Sequence, residues 1–231
     1  MQPASRATPE PARYLDLSTW SRREAFDYFR SFDKPYFNIC VRVDAAPLKA
    51  AVKARGVGSF ALAYHFFALR LANEIEPFRF RLHDGRVRIL DEIAGGATVL
   101  RDDDSFGFAY LPHTTDWAQF AAAGSAAIAA AQQRQAGFEP RVGFDELVHF
   151  TTLPWLHFSS FSHARNWGRE DSIPKISFGR ADVEVTATGS RLWLPVSVEV
   201  HHALMDGLHV GRYVQRLEAA MADPMPWLAV A

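Results

Sequence analysis

Two adjacent histidines, followed closely by an aspartate, are the residues in this sequence best suited to acid–base chemistry. The segment HHALMDG (201–207) places two imidazoles and a carboxylate within one short stretch. Imidazole has an ordinary pKa of about 6.5, so it can accept a proton near neutral pH. General-base catalysis is therefore the first function to consider for this segment.

Two other interpretations of the segment compete with catalysis. Side chains of neighbouring strand residues point to opposite faces, so His201 and His202 cannot both bind one metal ion. No cysteine or glutamate-rich partner stands nearby with zinc-like spacing, so we expect no metal site. The pair could instead be structural histidines at a strand end, with Asp206 as the N-cap of the next helix.

A serine nucleophile is a third possibility. Ser159, Ser160 and Ser162 lie together in HFSSFSH (157–163). No G-x-S-x-G elbow occurs anywhere in the chain, so no strained turn is available to present a serine as a nucleophile. The sequence therefore disfavours a serine hydrolase.

The strand before these histidines determines where they point. LWLPVSVEVHH (192–202) has an apolar residue at every second position, which predicts a strand with one apolar face. His202 continues that face, whereas His201 points the other way with Ser197 and Glu199. Removal from water would lower the pKa of His202 and keep the imidazole neutral, which suits a base.

The rest of the chain mixes helical and strand patterns. We predict helices near 21–32, 47–54, 59–75, 115–134 and 207–221, and strands at 36–44, 78–90 (a hairpin), 106–112, 149–161 (broken by Pro154), 175–179 and 183–187. Ser21 and Glu24 have capping-box spacing at the first helix. Because β-α-β regularity is missing, we expect an α/β fold, a two-layer sandwich with a mixed β-sheet and flanking helices. Residues 1–13 would be a flexible leader and 14–231 a single domain.

Composition narrows the partners and the compartment. The 231 residues carry a net charge of −1, which gives no general attraction to nucleic acid or to an anionic membrane. No apolar run is long enough to span a bilayer, and the first fifteen residues lack the apolar core of a signal peptide. Lone Cys40 fits a reducing compartment, so we expect a cytoplasmic protein.

Four segments, in order, resemble the chloramphenicol acetyltransferase family. HHALMDGLHVGRYVQRLE (201–218) is similar to its carboxy-terminal HHxxxDGxHV pattern and following helix. WSRREAF (20–26), FRFR (78–81) and LPWLHFSSF (153–161) resemble its W-x-R-x-x-x-F, F-R-x-R and L-P-W-x-x-F-x-S-F segments. The H-H-x-x-x-D-G core alone also occurs in 2-oxo-acid dehydrogenase acyltransferases and condensation domains. The absence of a lipoyl domain and of Ala/Pro linkers disfavours the dehydrogenase acyltransferases, and the chain is too short for a condensation domain.

The resemblance implies a fold, a reaction and a set of site residues. The family folds as a mixed-sheet α/β sandwich and assembles as a homotrimer with active sites between subunits. Acetyl-CoA is the co-substrate and a small-molecule alcohol is the acceptor. By position, His202 resembles the catalytic base, Ser160 the hydroxyl that donates to the oxyanion, and Asp206 and Arg22 a buried ion pair that shapes the site.

The acceptor is the least defined part of this expectation. Phe29, Phe37 and Phe106 fall where the family lines its acceptor pocket with aromatic rings, although each could equally be a core residue. The chain departs from the family's common residues at Leu208, Arg180, His157 and His163. We therefore expect O-acetylation of chloramphenicol, with two alternatives: the same chemistry on another hydroxylated acceptor, or a non-catalytic trimer that binds a small molecule. The residues that contact acetyl-CoA are not predicted.

Overall fold

The computed structural model describes residues 12–133, 145–166, 171–187 and 189–229, and within these ranges the chain forms five α-helices and ten strands. The helices are α1 (Arg23–Phe29), α2 (Ala46–Arg55), α3 (Phe60–Glu74), α4 (Trp117–Gln133) and α5 (Gly207–Ala222). The strands are β1 (Arg13–Tyr14), β2 (Tyr36–Asp44), β3 (Phe80–His83), β4 (Arg86–Ile89), β5 (Ala94–Leu100), β6 (Phe106–Leu111), β7 (Leu147–Leu153), β8 (Lys175–Gly179), β9 (Asp182–Thr186) and β10 (Gly189–His201). The predicted leader, 1–13, lies outside the described residues except for Ala12 and Arg13.

A large mixed sheet is the centre of the fold. Its strand order is β2-β10-β8-β7-β5-β6, and β9 also pairs with β10. The β5–β7 and β7–β8 pairs are parallel and the other pairs are antiparallel. Helices α2 to α5 share one hydrophobic core with the apolar side of this sheet. The α/β sandwich with a mixed sheet is confirmed. No helix in the described ranges is long and apolar enough to cross a membrane.

Strand β10 lies inside the sheet and carries the chain to the histidine pair. Its predicted apolar face is buried, with Val196, Val198 and Val200 fully covered. The opposite face is buried as well, although it bears Ser197, Glu199 and His201. A polar face without water needs hydrogen-bond partners from elsewhere in the chain. The segment after β7 supplies several of them.

One local prediction was wrong. No capping box forms at Ser21, because α1 has Arg22 as its N-cap and no side chain caps it. The Arg22 side chain instead donates to the carboxylate of Asp206, the residue before α5. Strand β7 ends at Leu153, at the break that the sequence predicts. Pro154 follows directly, and proline has no N–H to donate to a strand ladder.

Strand β5 was missed by the sequence patterns. Its residues, AGGATVL, include two glycines that are typical of a loop and not of a strand. A Cβ at position 95 would come within 2.8 Å of the Phe150 ring, so only glycine fits there. Because the two strands approach so closely, glycine stands where a strand would otherwise carry an apolar side chain. The alternating pattern that indicates a strand is therefore missing from the sequence.

Candidate active site

His202 follows the last residue of β10, at a tight turn that leads into α5. Its backbone N–H donates to the Pro35 carbonyl over 2.7 Å, which ties the turn to the start of β2. The N–H groups of Leu204 and Met205 both donate to the His201 carbonyl and close the turn. Helix α5 then begins directly after Asp206. The backbone that carries the imidazole is therefore held in place at the end of β10.

Two phenylalanines from different elements enclose the His202 ring. Phe29 of α1 stacks on it, with 3.7 Å between ring centroids and 6° between planes. Phe37 of β2 lies 4.7 Å away at 51°. About 31% of the His202 side chain remains exposed. The imidazole is thus half-buried, and the sequence expectation of full shielding from water was too strong.

The two ring nitrogens of His202 have different surroundings. Nδ1 is buried without a hydrogen bond and lies 3.5 Å from Asp206 Oδ1, too far for a good bond. Among the described residues, no side chain or backbone group is hydrogen bonded to Nε2. An imidazole with one nitrogen turned toward a carboxylate and the other without a protein partner can exchange a proton with a bound ligand.

Arg22 fastens the turn that carries His202. Its Nε donates to Asp206 Oδ2 over 2.6 Å and its Nη2 to Oδ1 over 2.5 Å, which is a bidentate pair. The same guanidinium donates to the carbonyls of Ala203 and His202 over 3.0 and 3.1 Å. The hydrogen bonds from Arg22, together with its charge, hold the pKa of Asp206 below its usual value. The Arg22 side chain is 13% exposed but that of Asp206 is 38% exposed, so the pair is only half-buried.

Loss of this clamp should lower stability by a moderate amount. Arg22→Ala removes four hydrogen bonds made by a charged group, and we expect the free energy of unfolding to fall by about 1–3 kcal/mol. The larger cost of a fully buried pair does not apply, because water reaches Asp206. Arg22→Lys should keep only part of the stability, since an ammonium group cannot donate two parallel hydrogen bonds to one carboxylate.

Urea denaturation of these variants would measure the change. Arg23→Ala is the matched control, because the neighbouring Arg23 makes only an exposed 3.7 Å contact with Asp27. That control should shift the free energy of unfolding by less than about 0.5 kcal/mol. An Arg22→Ala variant as stable as the Arg23→Ala variant would contradict the clamp.

Ser160 makes no hydrogen bond to His202, and Phe106 lies on a distant strand of the sheet. Ser160 is exposed in an irregular segment, 154–166, and makes no hydrogen bond to any described residue. Phe106 begins β6, at the opposite edge of the sheet from β2. Strand spacing places β6 about 19 Å from β10. One chain thus brings together His202, Asp206 and Arg22 with the two rings of Phe29 and Phe37. Phe106 lies at the other edge of the sheet, and Ser160 is hydrogen bonded to none of these residues.

Four histidines with lowered pKa values lie outside the predicted set: His65 and His201 are buried, and His149 and His163 are half-buried. Burial lowers the pKa of His65, His149 and His201 to about 4 and that of His163 to about 3. Their ordinary pKa is about 6.5 in an unfolded chain, so the unfolded state binds more protons between pH 6.5 and 4. The stability from these groups is complete above pH 6.5 and is lost as the pH falls toward 4.

The free energy of unfolding should therefore rise with pH in this range, with a measurable slope. Each such histidine should contribute up to about 1.4 kcal/mol of unfolding free energy per pH unit in that window. His65→Leu should reduce the slope of unfolding free energy against pH by about the contribution of one histidine. Urea denaturation at several pH values would measure it, and a slope unchanged by that substitution would contradict a neutral buried His65.

Comparison with known proteins identifies the family. The family model described as chloramphenicol acetyltransferase matches residues 12–218. The chain is similar to the chloramphenicol acetyltransferase 2 of Escherichia coli, with 28% identity over 88% of this chain and 94% of that protein. It is 30% identical to the chloramphenicol acetyltransferase of Streptomyces acrimycini, over 96% and 97% of the two chains.

The solved structures agree with the sequence comparisons. A chloramphenicol acetyltransferase structure is similar with a TM-score of 0.81 and 27% identity, and the match covers 91% of this chain and all of that one. The similarity therefore extends over most of this chain and over the whole of the solved structure. The chain belongs to the chloramphenicol acetyltransferase family and is an acetyltransferase.

Proposed function

We propose that the protein transfers the acetyl group of acetyl-CoA directly to a hydroxyl of chloramphenicol. The observation that carries this proposal is the family match over residues 12–218, which includes the Arg22–Asp206 clamp and His202. The half-open aromatic surroundings of His202 support an acceptor that carries an aromatic ring. A cytoplasmic location, expected from lone Cys40, stays a prediction.

In this proposal His202 acts as the general base through the nitrogen that does not face Asp206. It takes the proton of the acceptor hydroxyl while that oxygen attacks the thioester carbonyl, and a tetrahedral oxyanion forms. Collapse of this intermediate breaks the C–S bond, and the departing thiolate recovers the proton from the imidazole. No acyl-enzyme is needed, because holding both substrates together supplies much of the rate.

We assign Ser160 the stabilisation of the oxyanion and propose that it is supplied by a neighbouring subunit. In one chain Ser160 is exposed and makes no hydrogen bond to His202, which leaves its hydroxyl available to a neighbour's site. Phe106, at the far edge of the sheet, would also reach an acceptor only in a neighbour's site. A homotrimer with active sites between subunits accounts for both placements.

Thiol release from acetyl-CoA tests the reaction directly. We expect CoA thiol to appear with chloramphenicol and not without it, and the product to be acetylated on oxygen. Release only with another alcohol would keep the chemistry and change the acceptor. Binding of chloramphenicol without thiol release would support a non-catalytic binding protein and contradict the proposal. Light scattering would test the trimer.

A further inference from the structure

A buried carboxylate on β10 connects the two predicted catalytic segments. Glu199 is 3% exposed and lies three residues before His202. Its Oε1 accepts from Arg165 Nε over 2.7 Å, and its Oε2 accepts from the backbone N–H of His163 over 3.0 Å. Both oxygens are thus bonded to the segment that contains Ser160.

Arg165 is held as firmly as its partner. Its side chain is 3% exposed, donates to Asp171 Oδ1 over 3.2 Å and to the Ile173 carbonyl over 2.8 Å, and lies 4.4 Å over the Tyr36 ring. Lys175 Nζ completes the group, 2.7 Å from the Ala164 carbonyl and 3.4 Å from Asp171. We name these four charged residues, Arg165, Asp171, Lys175 and Glu199, the buried quartet.

The quartet is electrically balanced, with two cations and two anions. Burial alone would raise the pKa of Asp171, but the charges of Lys175 and Arg165 hold it below its usual value, so the carboxylate stays ionised. A buried ionic group of this kind is weak evidence for added stability, since desolvation offsets most of the attraction. Its effect is better sought in the geometry that it fixes.

The quartet fixes one end of the segment 154–166, which has no strand or helix of its own. At the other end, the Leu156 carbonyl accepts from the Arg180 N–H over 2.7 Å. The His163 ring adds a 2.8 Å contact from Nε2 to Ser177 Oγ. Ser160 lies between these anchors, at most about 10 Å of chain from His163.

We infer that Glu199 is a positioning residue, which holds the Ser160 segment against β10 so that the Ser160 hydroxyl is fixed relative to the sheet. This inference rests on the proposed function of Ser160. Glu199 itself touches no substrate and acts only through Ser160. The sequence shows it as the one carboxylate in the apolar run 192–202.

A double-mutant cycle tests the inference. Glu199→Gln keeps the size and an acceptor for His163 but loses the charge facing Arg165. In the otherwise unchanged enzyme we expect kcat to fall about 10- to 100-fold, with KM for acetyl-CoA nearly unchanged. In the Ser160→Ala background the same change should lower kcat by less than about twofold, because there is no hydroxyl left to misplace.

Matched variants make the result decisive. Glu146→Gln alters another carboxylate paired with an arginine, 2.8 Å from Arg88, and should leave kcat unchanged. If Glu199→Gln does not fold, Arg165→Lys removes the same hydrogen bond while keeping the charge and enters the same cycle.

Each other outcome has a distinct meaning. Equal losses in both backgrounds, or no loss in either, would overturn the role of Glu199 while leaving Ser160 in place. If Ser160→Ala itself leaves kcat unchanged, the proposed oxyanion donor fails first, and the positioning role fails with it.

Discussion

Replacement of His202 by alanine should lower kcat by about 10²- to 10⁴-fold, the usual share of a general base. An alcohol is a poor nucleophile until its proton begins to leave, and His202 is the only imidazole in the described residues that lies beside both Phe29 and Phe37. Its Nδ1 is buried toward Asp206, so the ring has a fixed direction. Steady-state thiol release would measure the loss.

The control for this prediction is a histidine without such surroundings. His83→Ala changes a half-exposed side chain in a hairpin and should leave kcat within about twofold of the original, as for most surface substitutions. His202→Gln preserves size and polarity but cannot act as a base, and it should be as slow as His202→Ala. A fully active His202→Gln variant would contradict base catalysis.

The local elements of the fold could be predicted because their patterns are repetitive. Period-2 alternation along β10 and the apolar spacing of α5 gave both elements within a few residues. Asp84 and Gly85 have φ values of +50° and +69° at the predicted hairpin turn. Prediction failed where a contact with a residue distant in sequence determines the local structure, as at β5, where the Phe150 ring requires glycine at position 95.

In the site, too, the contacts between residues close in sequence were predictable, and those between distant residues were not. The turn at His202 and Asp206 lies in one short segment, so its residue types indicated the chemistry directly. Arg22 is 184 residues from Asp206, and only the family resemblance suggested that pair. Arg165 and Glu199 come together through folding of the 154–166 segment, and no sequence pattern marks them as partners.

Phe29 makes a contact that the sequence did not predict. It was expected to line the acceptor pocket, and in the structure it stacks flat on the His202 ring. Tyr28 and Phe32 surround it at 5.1 and 5.3 Å. A stacked ring limits rotation of the imidazole, so Phe29 contributes to its orientation whether or not an acceptor also touches it.

Replacement of Ser160 by alanine should lower kcat by about 10²- to 10³-fold, as for loss of one oxyanion donor. The donor matters only when negative charge develops, so KM for acetyl-CoA should change little. Ser160→Thr keeps a hydroxyl and should retain more activity than the alanine variant. Ser162→Ala is the matched control, because Ser162 is an exposed serine two residues away and should be replaceable. Equal rates for the two alanine variants would assign Ser160 a structural role.

Mixed trimers would show which chain supplies each group. If a site takes His202 from one subunit and Ser160 from the next, chains with His202→Ala and chains with Ser160→Ala can combine to form intact sites. Random co-assembly in a cyclic trimer should then restore about a quarter of the sites, although each variant alone is nearly inactive. Restoration requires that the two residues come from different copies, because no single variant chain carries both. Co-expressed variants that stay inactive in a confirmed trimer would place both groups in the same subunit.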